Sequence, residues 1–206
     1  MTPAVLQFYN GVAEIVRQRH PGKILAGYVY AAYVYPPSRP FRLAPNLFLV
    51  WAPSFAYGYT LFRPDLRERW GYLLAKWTES TENLAYYDLP NRLGNDAGAP
   101  NPPGLAILKF IYPRLKRAGI KGVYVYGQEA WGYGGPANYL QAKLAWNPDA
   151  DVDALFDEYL RLAYADGAED MHRFHALLET ELERYYQENP ERSEEHTSEL
   201  QSPNTI

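Results

Sequence analysis

Asn46-Leu47-Phe48-Leu49-Val50-Trp51, and after a tyrosine-rich loop Pro64-Asp65-Leu66-Arg67-Glu68-Arg69-Trp70-Gly71-Tyr72-Leu73-Leu74-Ala75-Lys76-Trp77-Thr78-Glu79, together set the fold class. The first run is short and continuously apolar, as a buried strand is. The second places Leu66, Trp70, Leu73, Leu74 and Trp77 on one face at helical spacing, as an amphipathic helix does. A strand followed by a helix is half of a βαβ crossover, and the rest of the chain repeats it.

Upstream, Val5, Phe8, Val12, Ile15 and Val16 recur at helical spacing over 5–19, and His20-Pro21-Gly22 stops the helix. A β-branched and aromatic run over 24–35 follows, ended by Pro36-Pro37. Its apolar residues do not alternate with polar ones, which predicts burial on both faces, as in a parallel sheet. Downstream come a strand over 83–87, a long loop over 88–103, a helix over 105–118 closed by Gly119, a strand over 121–126, and a glycine-rich loop leading to a helix over 137–146. Strands alternating with helices imply right-handed crossovers and a parallel α/β sheet. Four strands are half of a (β/α)8 TIM-like barrel, which takes roughly 250 residues, against 206 here. The stretch 36–45 holds no helix and departs from strict alternation, so a flavodoxin-like sheet stands as the alternative. Helices over 149–166 and 168–188 are expected on the barrel exterior, the first capped by Asp149 or Asp151, with Leu155, Tyr159, Leu162 and Ala163 facing inward. No strand follows them. The expected organisation is a C-terminal half barrel over 1–148, carrying strands five to eight, a helical extension over 149–191, and a polar, aperiodic tail over 192–206. That tail resembles a translated sequencing adapter rather than native protein, as found in predicted metagenomic proteins.

The formal net charge of -4 gives no basic surface for nucleic acid or anionic lipid. With no cysteine, disulfides, thiol nucleophiles and Cys-rich zinc sites are excluded. No apolar stretch is long enough to span a membrane, and no signal peptide precedes the first helix; a longer parent protein is expected in the periplasm or secreted. Aromatic residues make up 16%, with 19 Tyr and 5 Trp. Each combines a flat apolar face with a polar handle, which suits sugar rings as well as cores and interfaces.

Barrel active sites lie at the C-terminal ends of the strands. That selects Tyr30, Tyr33 and Tyr35 after the first strand, Trp51, Tyr57 and Tyr59 after the second, Tyr87, Asp88 and Asn91 after the third, and Gln128, Glu129, Trp131 and Tyr133 after the fourth. Glycosidases work with paired carboxyl groups, or with one carboxyl helped by the substrate's acetamido group. Asp88 and Glu129, on neighbouring strands, are candidates for such a pair. They serve equally as acceptors for sugar hydroxyls, or as loop caps. His172 and His175 share a helix face without a completing carboxylate, so no metal is expected. The loop after the fourth strand lacks the P-loop and dinucleotide spacings, and no GxSxG elbow occurs; no cofactor is expected.

Phe8-Tyr9-Asn10-Gly11-Val12-Ala13-Glu14, Tyr28-Val29-Tyr30 before Pro36-Pro37, Tyr86-Tyr87-Asp88, and Leu140-Gln141-Ala142-Lys143-Leu144-Ala145-Trp146-Asn147-Pro148-Asp149-Ala150-Asp151 resemble, in this order, the bacterial domain of unknown function 4838. Some members of that family are classed as glycoside hydrolases of family 163 acting on N-acetylglucosamine linkages, and its barrel is similar to that of family 20 hexosaminidases. The resemblance implies a substrate-assisted mechanism whose general acid follows the fourth barrel strand, upstream of Met1. Glu129 and Trp131 then resemble residues that grip sugar hydroxyls and wall the pocket, with Tyr87 or Asp88 near the acetamido group. The expected function is part of a glycoside hydrolase-like protein acting on N-acetylhexosamine-containing glycans. Tyr30, Trp51, Tyr87, Asp88, Glu129 and Trp131 would be its binding residues, and Asp88 and Glu129 the weaker catalytic candidates. A non-catalytic carbohydrate-binding barrel and an unrelated metabolic α/β enzyme are the alternatives. The expected partner is a glycan. The number of subunits is not legible in the sequence.

Overall fold

The computed structural model describes residues 1–88, 102–126 and 131–189; the polar tail lies outside them. Its elements are α1 (Thr2–Arg19), β1 (Leu25–Tyr30), β2 (Leu47–Ala52), α2 (Pro64–Ser80), β3 (Leu84–Asp88), α3 (Leu105–Arg117), β4 (Val123–Val125), α4 (Trp131–Trp146), α5 (Val152–Tyr164) and α6 (Ala168–Glu188), with short 3-10 turns between them. The four strands form one parallel sheet in the order β1-β2-β3-β4. Neighbours in sequence are neighbours in space, unlike a flavodoxin-type sheet, whose order doubles back.

The register divides the side chains into two sets. Gly27 and Val29 lie beside Leu49 and Trp51, which lie beside Leu84 and Tyr86. This set meets the helices: the Trp51 ring is 5.7 Å from Trp70, and Trp70 is 5.7 Å from Tyr86 and 5.4 Å from Phe110. Together with Leu66, Leu73, Leu74 and Trp77 of α2, the face read from the sequence, and Ile111 and Leu115 of α3, they form the core. Burial of each such side chain contributes about 1.5–3 kcal/mol.

The alternate set, Tyr28, Tyr30, Phe48, Val50, Tyr87 and Tyr124, stays outside that core; Tyr28 is 46% and Tyr124 53% exposed. The expected burial of both strand faces is therefore corrected: one face is covered by helices and the other is open. The continuous apolar runs concealed this, because the open face is itself aromatic.

Four other expectations change. Along α1, Phe8 and Ile15 of the apolar stripe are exposed, while Leu6 and Ala13 are buried. Polar anchors set that rotation. Asn10 accepts from Ala44 N and donates to Arg42 O, Asn46 donates to Ala13 O, and Tyr9 lies over Gly27, where an added Cβ would meet its ring at 2.7 Å. In α5 the buried positions are Val152, Phe156 and Leu160, and Leu162 is exposed; Asp151 is the N-cap, accepting from Asp153 N and Ala154 N. Finally, α4 starts at Trp131 rather than at 137 and carries Pro136 inside it. The first strand also ends sooner than its apolar run, because Ala31 adopts a positive φ of 47°.

The α6 helix is fastened to the sheet layer by Glu179, whose carboxylate accepts from Ala106 N at 3.0 Å in the first turn of α3. It acts as a cap supplied from 73 residues away, at the positive end of the helix dipole. Glu179→Ala is expected to cost about 1–2 kcal/mol in urea denaturation, and a cost below a few tenths would show that α6 docks without it.

Candidate functional site

At the C-terminal ends of the strands the open face gathers tyrosines. Tyr87 of β3 stacks on Tyr124 of β4 at 4.9 Å and 15°, and meets Tyr28 of β1 edge-on at 5.9 Å. Tyr57, from the segment after β2, lies 6.1 Å from Tyr87 and 6.5 Å from Tyr30, with the Tyr30 ring nearly parallel to it. The period of two along the strands puts Tyr28 and Tyr30 on one side, and parallel registration places Tyr87 opposite Tyr124. Burial pushes the Tyr57 hydroxyl far above its ordinary pKa, with the neighbouring phenols adding to it. Tyr87 is raised for the same reasons. These phenols stay neutral near pH 7 and offer both a donor and an acceptor.

The other residues read from the sequence are dispersed. Trp51 is fully buried, and its indole donates to Val34 O at 3.3 Å. It points to the helix side and cannot present a ring to a ligand on the tyrosine face. Tyr59 is likewise buried, stacked on Phe62 at 5.8 Å, with its hydroxyl donating to Pro102 O at 2.6 Å. Tyr35 has the Arg69 guanidinium over its ring at 5.3 Å. Asn91, Gln128 and Glu129 lie outside the described residues, as do the side chains of Trp131 and Tyr133.

Asp88 ends β3, but alternation turns its side chain away from the tyrosines, toward the helices. It is buried, and its carboxylate accepts from Gln141 Nε2 of α4 at 3.1 Å. Burial raises its pKa from 3.8 to about 7, against a smaller lowering by the Gln141 bond. A carboxyl poised there can hold or release a proton near neutrality. Tyr28, Tyr124 and Gln141 were not singled out from the sequence. Strand alternation from Tyr30 and Tyr87 would have found the two tyrosines; a lone glutamine in an apolar helix carries no comparable signal.

Among the described residues, no group of three His, Asp or Glu could hold a metal ion, and no helix is long and apolar enough to cross a membrane. The family model described as Domain of unknown function (DUF4838) matches residues 1–191, and the chain belongs to that family. No curated protein and no solved structure matches the chain.

Proposed function

We propose that this DUF4838 chain supplies the sugar-facing wall of a glycoside hydrolase-like barrel acting on N-acetylhexosamine-containing glycans. The observation carrying this reading is the array of Tyr28, Tyr30, Tyr57, Tyr87 and Tyr124 on the helix-free face, toward the strand ends where ligands bind in parallel α/β folds. Tyrosine rings present apolar surface to the C–H faces of a pyranose, and their hydroxyls exchange hydrogen bonds with its substituents.

The open face also supports the half-barrel reading. Parallel sheets are covered on both faces, and an eight-stranded barrel fills its interior with side chains from its own strands. In this proposal β1 to β4 are strands five to eight, and the exposed stripe of Phe8 and Ile15 on α1 is the seat of a preceding helix. The tested outcome is genomic: sequence upstream of Met1 is expected to encode further βα units with an Asp or Glu at a strand end. Its absence would remove the hydrolase reading.

Sugar contact is tested separately. Tyr87→Ala is expected to weaken binding of N-acetylglucosamine oligosaccharides about ten-fold, equivalent to ~1.4 kcal/mol, in calorimetric titration, with Tyr87→Phe close to the unsubstituted protein. Equal affinity for all three would sink it. A non-catalytic carbohydrate-binding barrel is the second reading, favoured by one observation: the Asp88 side chain is turned to the helix side, so it does not face the tyrosines.

A further inference from the structure

We propose that Asp88 and Gln141 form a proton site, in which the acid form of Asp88 pairs with the Gln141 amide through two hydrogen bonds and latches α4 to the end of β3. The site takes only a proton from solvent, and it holds whatever binds the tyrosine face.

The hydrogen bonds of the pair point to it. Gln141 Nε2 donates to Asp88 Oδ2 at 3.1 Å, while Gln141 Oε1 is buried without a partner. Buried polar atoms are almost always satisfied. A carboxylate can only accept, so it cannot serve Oε1, whereas a carboxylic acid carries one O–H donor. With a proton on Oδ1, Asp88 accepts from Nε2 through one oxygen and donates to Oε1 through the other. Both side chains are enclosed, Asp88 5% and Gln141 1% exposed, and there a made bond is stronger and an unmade one costlier.

The surroundings favour the neutral form. Around Asp88 stand the phenols of Tyr57 after β2, Tyr86 on β3 and Tyr112 on α3, all kept protonated by burial. Among the described residues no charged group offsets the burial of Asp88, which raises its pKa to about 7. The Nε2 bond favours the carboxylate; the Oε1 bond, made only by the acid, favours the proton. Tyr139 and Lys143 tie α4 to Glu158 of α5, and Gln141 ties it to β3.

Infrared difference spectroscopy tests the proton. A protonated-carboxyl band is expected at pH 6, falling about ten-fold by pH 8 as the acid ionises around pH 7, and missing from Asp88→Asn. In Gln141→Met the band is expected at higher wavenumber, because the acid has lost its amide partner. Amide exchange over 137–146, read against Asp88→Asn at each pH, is expected to quicken about ten-fold from pH 6 to pH 8, the loss of one net hydrogen bond, with α1 unchanged. A cavity of about 10 Å³ borders Asp88 and Gln141, room for one water; if a water serves Oε1 and the carboxyl is ionised, no Asp88 band appears at pH 6. That result, an unmoved band in Gln141→Met, or equal quickening in α1 would each overturn the proposal. If Gln141→Met does not fold, the band and the exchange measured against Asp88→Asn, whose amide makes both bonds, decide alone.

Discussion

Asp88→Asn is expected to stabilise the protein at pH 8 by on the order of 2–4 kcal/mol. The carboxyl's pKa rises from 3.8 to about 7 on folding, because burial disfavours its charged form. Between these values the folded protein keeps a proton that the unfolded chain has released. Stability therefore falls as pH rises through that window, and the penalty is complete above about pH 7. Asparagine is neutral throughout and preserves the acceptor for Gln141. Glu179, raised by burial above 4.5, acts with the same sign. His175 acts oppositely: burial, then the nearby His172, lowers its pKa below 6.5, so stability is lost as pH falls below 6.5. Urea unfolding at pH 5 and pH 8 reads the difference. The unsubstituted protein should lose stability relative to Asp88→Asn on going to pH 8; parallel pH profiles for the two would refute the shifted carboxyl. A gain in stability with altered ligand binding would place Asp88 among residues retained for function at a cost in folding.

Trp51→Ala is expected to destabilise by about 3–5 kcal/mol, several-fold more than Tyr87→Ala on the open face. Trp51 is fully buried between Trp70 and Tyr86, at 5.7 and 5.8 Å. Its indole and that of Trp77 both donate to Val34 O, at 3.3 and 2.8 Å. These two hydrogen bonds to one carbonyl fix the chain after Ala31, where the positive φ ends β1 and stores about 1–3 kcal/mol of backbone strain. Trp51→Phe, which keeps most of the volume and leaves Trp77 on the carbonyl, should cost about 1–2 kcal/mol. Chemical denaturation of the three variants gives the ranking. If Trp51→Ala folds almost normally and loses sugar affinity instead, Trp51 belongs to the binding surface after all.

Trp51 and Tyr87 show where the sequence was not sufficient. Both stand near strand ends and both are aromatic, so position and residue type assign them the same role. Register separates them: Trp51 pairs with Tyr86, and Tyr87 with Tyr124, so they project from opposite faces. Asp88 is separated from Tyr87 by the same one-residue step. The α1 stripe misled for a related reason, since Phe8 and Ile15 are apolar at helical spacing, but Asn10 and Tyr9 chose which side docks. In α2 the apolar stripe and the buried face coincide.

What the sequence determined by itself is the succession of elements and the parallel α/β class, because hydrophobic period and Pro or Gly stops act locally, within ten or twenty residues. What only the tertiary structure decided is which side of each element is covered. That depends on partners distant in the chain: Val34 O for Trp51 and Trp77, Gln141 for Asp88, and the helices that cover one face of the sheet and leave its tyrosines open.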